Sequence, residues 1–360
     1  MNCKNPAFYI FVWLIQLLLT SNLTAASPSS EIAKDHVDVA VDRAIKFLMS
    51  KQNDDGSIAE RNNKTAMTAL AVMAMAATGN QPIDPTPEGK TMRRAIEYIL
   101  DPKRQDENGY FGVDGSRMYG HGIITLMLSE MLGMGLNDNQ DKRTRESCQK
   151  AINLILRSQK VKKDWKHQGG WRYTPDQSES DLSVTVWQLM ALRSAKNSGL
   201  KVPASAIKDA VDYLKRSYKS TLDEKGNPTN KKSGFAYQPG GTPEYTMTAA
   251  GLLSMQVSGE YESPFVHGSA DWLLEHPPSK SHKFFFYGTY YYSQGMYQRG
   301  GEHAKVAKKK VEDILLKEQS GKSGAWIGSG QENSHGEIYC TCMAVLALAV
   351  KYHYLPIYQR

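Results

Sequence analysis

Ala151-Ile152-Asn153-Leu154-Ile155, then Gly169-Gly170-Trp171, then Thr185-Val186-Trp187-Gln188-Leu189-Met190-Ala191-Leu192: this stretch reads as an amphipathic helix, a glycine-plus-aromatic turn, and a helix apolar on nearly every side. The same order recurs six times along the chain. First-helix cores begin at Ala44, Ala95, Ala151, Ala210, Ser269 and Val311, spaced 51, 56, 59, 59 and 42 residues apart. The other breakers are Asp55-Gly56-Ser57, Asn108-Gly109-Tyr110-Phe111, Ser233-Gly234-Phe235, Pro277-Pro278 and Ser323-Gly324-Ala325-Trp326. Second helices start near Thr65, Tyr119, Asp181, Tyr245, Gly288 and Ile338. Self-similarity at a period of tens of residues marks a repeat architecture, because one such unit cannot bury its apolar face alone.

Hydrophobic patterning assigns the two helix types to layers. First helices keep a charged face, as in Asp38 to Lys51 and Lys305 to Lys317, so one side meets water. Second helices such as Thr68 to Ala77, Ile123 to Gly135 and Met343 to Val350 lack that face, which predicts burial. The expectation is an all-α fold of twelve helices in two concentric layers, with an open superhelical solenoid as the rival. Open arrays cap their ends with polar repeats. Here the period drifts and the last helix, Ile338 to Tyr352, is among the most apolar, so closure is favoured.

The first 26 residues carry a secretory pattern: Lys4, an apolar run from Ala7 to Leu19, and a small-residue segment ending at Ala26. Export to periplasm, envelope or medium follows as an expectation, with an uncleaved N-terminal anchor as the alternative, and residues 27–360 are expected to form a single domain. The formal charge of +7 gathers in Lys160 to Lys166, Lys215 to Lys232 and Lys305 to Lys310. A solvated rim, or attraction to an anionic membrane or envelope surface, accounts for it. No zinc-finger spacing or basic recognition helix accompanies that charge, which argues against nucleic acid as a partner.

The Gly170-Trp171 turn with the Thr185 to Leu192 helix, and Gln319 with Gly324 and Trp326, resemble the glutamine/glycine/tryptophan repeats of squalene and hopene cyclases and of protein prenyltransferase β subunits. The resemblance spans the six hairpins and implies an α/α toroid. The cyclase branch carries its proton donor in an Asp-x-Asp-Asp motif before an inner helix. Aligned on Thr185, that motif falls on Asp181-Leu182-Ser183-Val184, so only its first acid is kept and Ser183 replaces the donor. A serine hydroxyl is too weak an acid to protonate an alkene. The prenyltransferase branch holds zinc through Asp, Cys and His. Glu337-Ile338-Tyr339-Cys340-Thr341-Cys342 resembles one such segment with Cys340 in the histidine place, and no second segment completes a ligand set. No metal and no cofactor is therefore expected.

In a toroid, residues at the starts of inner helices converge on the central opening. Those positions hold Tyr119 and His121, Glu179 and Asp181, Glu244 and Tyr245, Phe285, Tyr287 and Tyr290, and His335, Glu337 and Tyr339, with Trp187 in the third inner helix. Each acid there can be an ordinary helix cap. Together they make a candidate pocket with Asp181, Glu244 and Glu337 as acids or bases and the rest as ligand contacts. The aromatic run Phe284 to Tyr292 reads either as a pocket wall or as packing between the last two repeats. Three function classes fit: a protein that binds or transforms an isoprenoid or other apolar small molecule, a non-catalytic interaction or envelope scaffold, and a carbohydrate-active enzyme using two carboxylates.

Overall fold

Among the residues described by the computed structural model, 33–359, twelve long helices and one short helical turn alternate between outer and inner layers. The leader assigned to residues 1–26 lies outside them. The outer helices are α1 (His36–Ser50), α3 (Pro87–Ile99), α5 (Asp138–Gln159), α7 (Ala204–Ser217), α9 (Pro264–Glu275) and α11 (Gly301–Glu318). The inner ones are α2 (Lys64–Ala77), α4 (Arg117–Glu130), α6 (Leu182–Asn197), α8 (Tyr245–Val257), α10 (Phe285–Arg299) and α12 (Glu337–Leu348). The short turn, Gly330–Asn333, precedes α12. No helix among the described residues is long and apolar enough to cross a membrane.

Burial follows the sequence pattern. In α7 the buried residues are Ala206, Ile207, Ala210, Val211, Tyr213, Leu214 and Ser217, one stripe at helical spacing. In α8 every residue from Tyr245 to Val257 is buried. Starts are marked locally: Thr86 accepts from Gly89 N at 3.1 Å, Asn137 from Gln140 N at 3.0 Å, and proline opens α3 and α9.

The inner helices touch in the cyclic order α2, α4, α6, α8, α10, α12 and back to α2, while α11 meets α1 outside. The ring is closed, which removes the open-solenoid alternative. At the joint, Arg43 Nη2 donates to Ser320 O and Gly321 O at 2.7 and 2.8 Å, and Arg61 Nη1 donates to Asn333 O at 2.9 Å.

One hydrogen-bonding device holds four of the six outer-layer junctions. Gln52 Nε2 donates to Gly56 O and Thr91 O at 3.0 and 2.9 Å, and Gln105 Nε2 to Gly109 O and Ser147 O at 3.0 Å each. Gln159 Nε2 donates to Gly169 O and Ala206 O at 2.9 Å each, and Gln319 Nε2 to Gly324 O and Ala40 O at 2.8 and 2.7 Å. Each amide thus ties its own turn to the next outer helix. The turn glycine must be glycine on two grounds. At Gly169, φ is +85°, and a Cβ would lie 2.1 Å from Asp209 O. The last clamp, Gln319 to Ala40, closes the circle.

A second device joins turn to inner helix. The backbone N–H groups of Ile58, Trp171, Phe235 and Trp326 donate to the hydroxyls of Thr68, Thr185, Thr248 and Thr341, each at 3.0 Å. At the opposite end, the C-terminal tail folds over the ends of the inner helices. Ile357 N donates to the buried Glu130 Oε2 at 3.0 Å, and the phenols of Tyr290 and Tyr358 share a hydrogen bond.

Gln159→Ala leaves Gly169 O without a donor in a buried junction, while Ala206 O, inside α7, keeps its intrahelical bond. We expect a loss of about 1–3 kcal/mol, the cost of one unsatisfied buried polar group. Urea unfolding at constant m-value measures it.

Candidate functional site

Because inner helices run the same way round the ring, their N-terminal ends gather at one side. There they surround a cavity of about 1180 Å³. Its apolar wall is built from Met67, Ile123, Trp187, Met343 and the rings of Tyr245 and Tyr287. Tyr287 and Tyr290 pack against Trp187, with ring centroids 6.3 and 6.0 Å away. Its rim carries Arg117 and Lys283, with Glu244 opposite them in charge. Asn63 and Arg117, both lining residues, hold left-handed backbone at φ 63° and 55°. Non-glycine residues keep such conformations only where their surroundings enforce them, and these cluster at ligand sites.

Polar chemistry concentrates around Ser183. Asp181 is fully buried at the start of α6, where Asp181 N donates to Trp171 O at 2.9 Å and Asp181 Oδ1 accepts from Val184 N at 3.0 Å. The same Oδ1 accepts from Ser183 Oγ at 2.6 Å, and Ser183 Oγ bonds Tyr119 OH at 2.5 Å. Asp181 Oδ2 has no partner within hydrogen-bond distance, and Arg172 Nε stands 3.7 Å from it. Burial pushes the Asp181 carboxyl up from the ordinary range, opposed mainly by the hydrogen bond from Ser183. Tyr287 OH donates to Ser183 O at 3.1 Å. Tyr173 and Tyr237, whose phenols share a hydrogen bond, complete this wall. Backbone bonds across repeats deliver both phenols: Met118 N to Tyr173 O at 3.0 Å and Leu182 N to Tyr237 O at 2.9 Å.

The prenyltransferase α/α-toroid domain matches residues 7–113 and 91–231, more than half of the chain. The chain belongs to that family. No curated protein matches it. Its fold is similar to a type II terpene cyclase from Scytonema solved with geranylgeranyl dihydroxybenzoate, at 14% identity and TM-score 0.57 over 89% of this chain and 98% of that one. It is also similar to an α-1,6-mannanase from Salegentibacter, at 11% identity and TM-score 0.59 over 89% and 100%. A cellobiose 2-epimerase from Spirochaeta thermophila is similar at 11% and 0.55 over 89% and 99%. At these identities the likeness extends to the toroid fold alone.

The toroid brings together at the cavity Tyr119, Trp187, Glu244, Tyr245, Tyr287, His335 and Tyr339 from the sequence-derived set. It sets others apart. Asp181 lies behind the wall, with Ser183 between it and the cavity. Glu179 is exposed and paired with Arg172. Glu337 is half-buried at the first position of α12 and does not line the cavity. Phe285 packs on Phe286 in the core, and Tyr290 is wholly buried. Burial lifts the Cys340 thiol to about 12, which disfavours the thiolate a metal needs.

His121, also expected at the opening, sits one turn inside α4 and is fully buried. Its Nδ1 accepts from Phe111 N at 3.3 Å, the place that threonine fills in four other repeats, and its Nε2 faces Ala151 O at 3.2 Å. That pairing requires the neutral Nε2–H tautomer, and burial lowers its pKa from 6.5 to about 4. Unfolded chain then binds a proton between those values that the native state refuses, so this residue's contribution to stability falls as pH drops from 6.5 toward 4. In His121→Thr the hydroxyl can take the Phe111 N–H. We expect the urea midpoint of this variant to decline less over that interval than wild type.

Proposed function

We propose that this is an exported binding protein whose central cavity takes an elongated apolar ligand of the isoprenoid class. The cavity carries the reading: about 1180 Å³ of space behind a wall of methionine, isoleucine, tryptophan and tyrosine rings, above the usual range for a small-molecule pocket. Burying such a ligand there releases water from apolar surface on both partners.

Charge placement favours binding over turnover. Of the described residues that line the cavity, Glu244 alone is a carboxylate. Glycoside chemistry places two carboxyl groups roughly 5–9.5 Å apart across the bond that breaks, and this wall does not offer the pair. Protonation of an alkene needs a strong acid at the wall, and the wall residue is Ser183, with the carboxyl of Asp181 behind it. Export rests on the charged, apolar and small-residue order of residues 1–26.

The test is incubation of purified protein with a total membrane-lipid extract, re-isolation, and mass spectrometry of the organic-soluble fraction. We expect an apolar compound retained near one per chain in wild type. Met67→Trp, which fills the cavity from its wall, should cut retention at least tenfold, while Ile83→Ser on the outer surface leaves it unchanged. Wild-type protein that returns empty overturns the reading.

A further inference from the structure

The hydroxyl hydrogens of Ser183, Tyr119 and Tyr287 are already committed, and the direction of each bond is fixed by its neighbour. Asp181 Oδ1 accepts the Val184 N–H and the Ser183 O–H together, at 3.0 and 2.6 Å. A proton on this carboxyl belongs on Oδ2, which accepts no hydrogen bond, so Oδ1 remains an acceptor in either charge state. Ser183 has one hydroxyl hydrogen and spends it on Asp181. It must therefore accept from Tyr119, whose own hydrogen is spent in turn on Ser183 Oγ at 2.5 Å. Tyr287 spends its hydrogen on Ser183 O at 3.1 Å. Both tyrosines line the cavity, and neither phenol has a hydrogen left to donate.

We infer that this corner recognises a hydroxyl group, so that the ligand is a neutral apolar alcohol whose O–H donates to the phenol oxygens of Tyr119 and Tyr287. This inference rests on the apolar-ligand reading above and narrows its class. A ketone, ether or epoxide brings only acceptors and, at these two phenols, would face oxygen lone pairs without a hydrogen between them. An ammonium head would donate, but the two rim cations Arg117 and Lys283 outweigh the single carboxylate of Glu244 and repel it. The burial that raises both phenols well above 10 keeps them protonated, and their hydrogens committed, across the physiological range.

Ser183 is thus a positioning residue: it sets the direction of the Tyr119 hydrogen. In Ser183→Ala that hydrogen is released, and Tyr119 can donate to an acceptor in the cavity.

Three probes of one length separate the possibilities: farnesol, its methyl ether and the hydrocarbon farnesene, measured by tryptophan fluorescence titration and native mass spectrometry. Wild type should bind farnesol about tenfold more tightly than the ether, the ratio expected for one hydrogen bond made against one acceptor left unpaired. Tyr119→Phe should bring that ratio toward one by weakening the alcohol, and Ser183→Ala should bring it toward one by strengthening the ether. A structural role alone would shift all three probes in parallel. Equal affinity of wild type for the three overturns the hydroxyl assignment and leaves apolar binding intact. No binding of any of them, with the fold intact by circular dichroism, overturns both.

Discussion

The amide of a glutamine at or just beyond the end of an outer helix, donating at once to a turn glycine and to the next outer helix, is the interaction on which the rest of the molecule depends. Gln52, Gln105, Gln159 and Gln319 each do this. An outer helix has one apolar stripe and could pack on an inner helix at many rotations and heights. The clamp removes that freedom, because a planar amide with two N–H groups reaches both carbonyls in only one arrangement. Repeated around the circle, it fixes the angle between hairpins, and the last clamp reaches Ala40 in the first outer helix. The inner N-termini converge as a geometric result. The cavity exists because the outer layer is locked.

Most of the architecture was legible because it depends on patterns that do not need an atom-level view. Small-residue stripes, glycine turns and all-apolar helices announce two layers of six, and burial in α8 and α7 matches them residue by residue. The drift of the period has a plain cause in the turns: the loop from Tyr218 to Glu244 is long, while only Gly300 separates α10 from α11. The clamp itself was half legible. Gln319 with Gly324 and Trp326 stood out, whereas Gln52 and Gln105 lack a tryptophan nearby and read as ordinary polar residues.

At the site, position at an inner-helix start was a sound guide to proximity and a poor guide to direction. It found Tyr119, Glu244, Tyr245, Tyr287 and Tyr339. It also selected His121 and Tyr290, one turn deeper, where the helix points side chains into neighbours. His121 belongs to the threonine device of the fold, a substitution no single repeat reveals. The run Phe284 to Tyr292 is both things at once: Phe284 and Tyr287 form wall, and Tyr290 to Tyr292 form core. Tyr173 and Tyr237 were missed because they sit in loops, yet each stands two residues after the aromatic of its turn, in Trp171-Arg172-Tyr173 and Phe235-Ala236-Tyr237. That shared offset was the available signal.

Replacement of an acid by Ser183 changes what the cavity can do in a way that composition hides. A carboxyl at that wall position could surrender a proton to a ligand. A serine there cannot, and with Asp181 still behind it the effect goes beyond loss. The buried carboxyl draws the serine hydrogen inward, and the serine draws the tyrosine hydrogen inward, so that Tyr119 is left as an acceptor. Asp181 at full burial is costly, and its two accepted bonds offset part of that cost. Loss of Ser183 as well would leave the carboxyl with a single donor, so the serine holds in place both the acid behind it and the phenol in front.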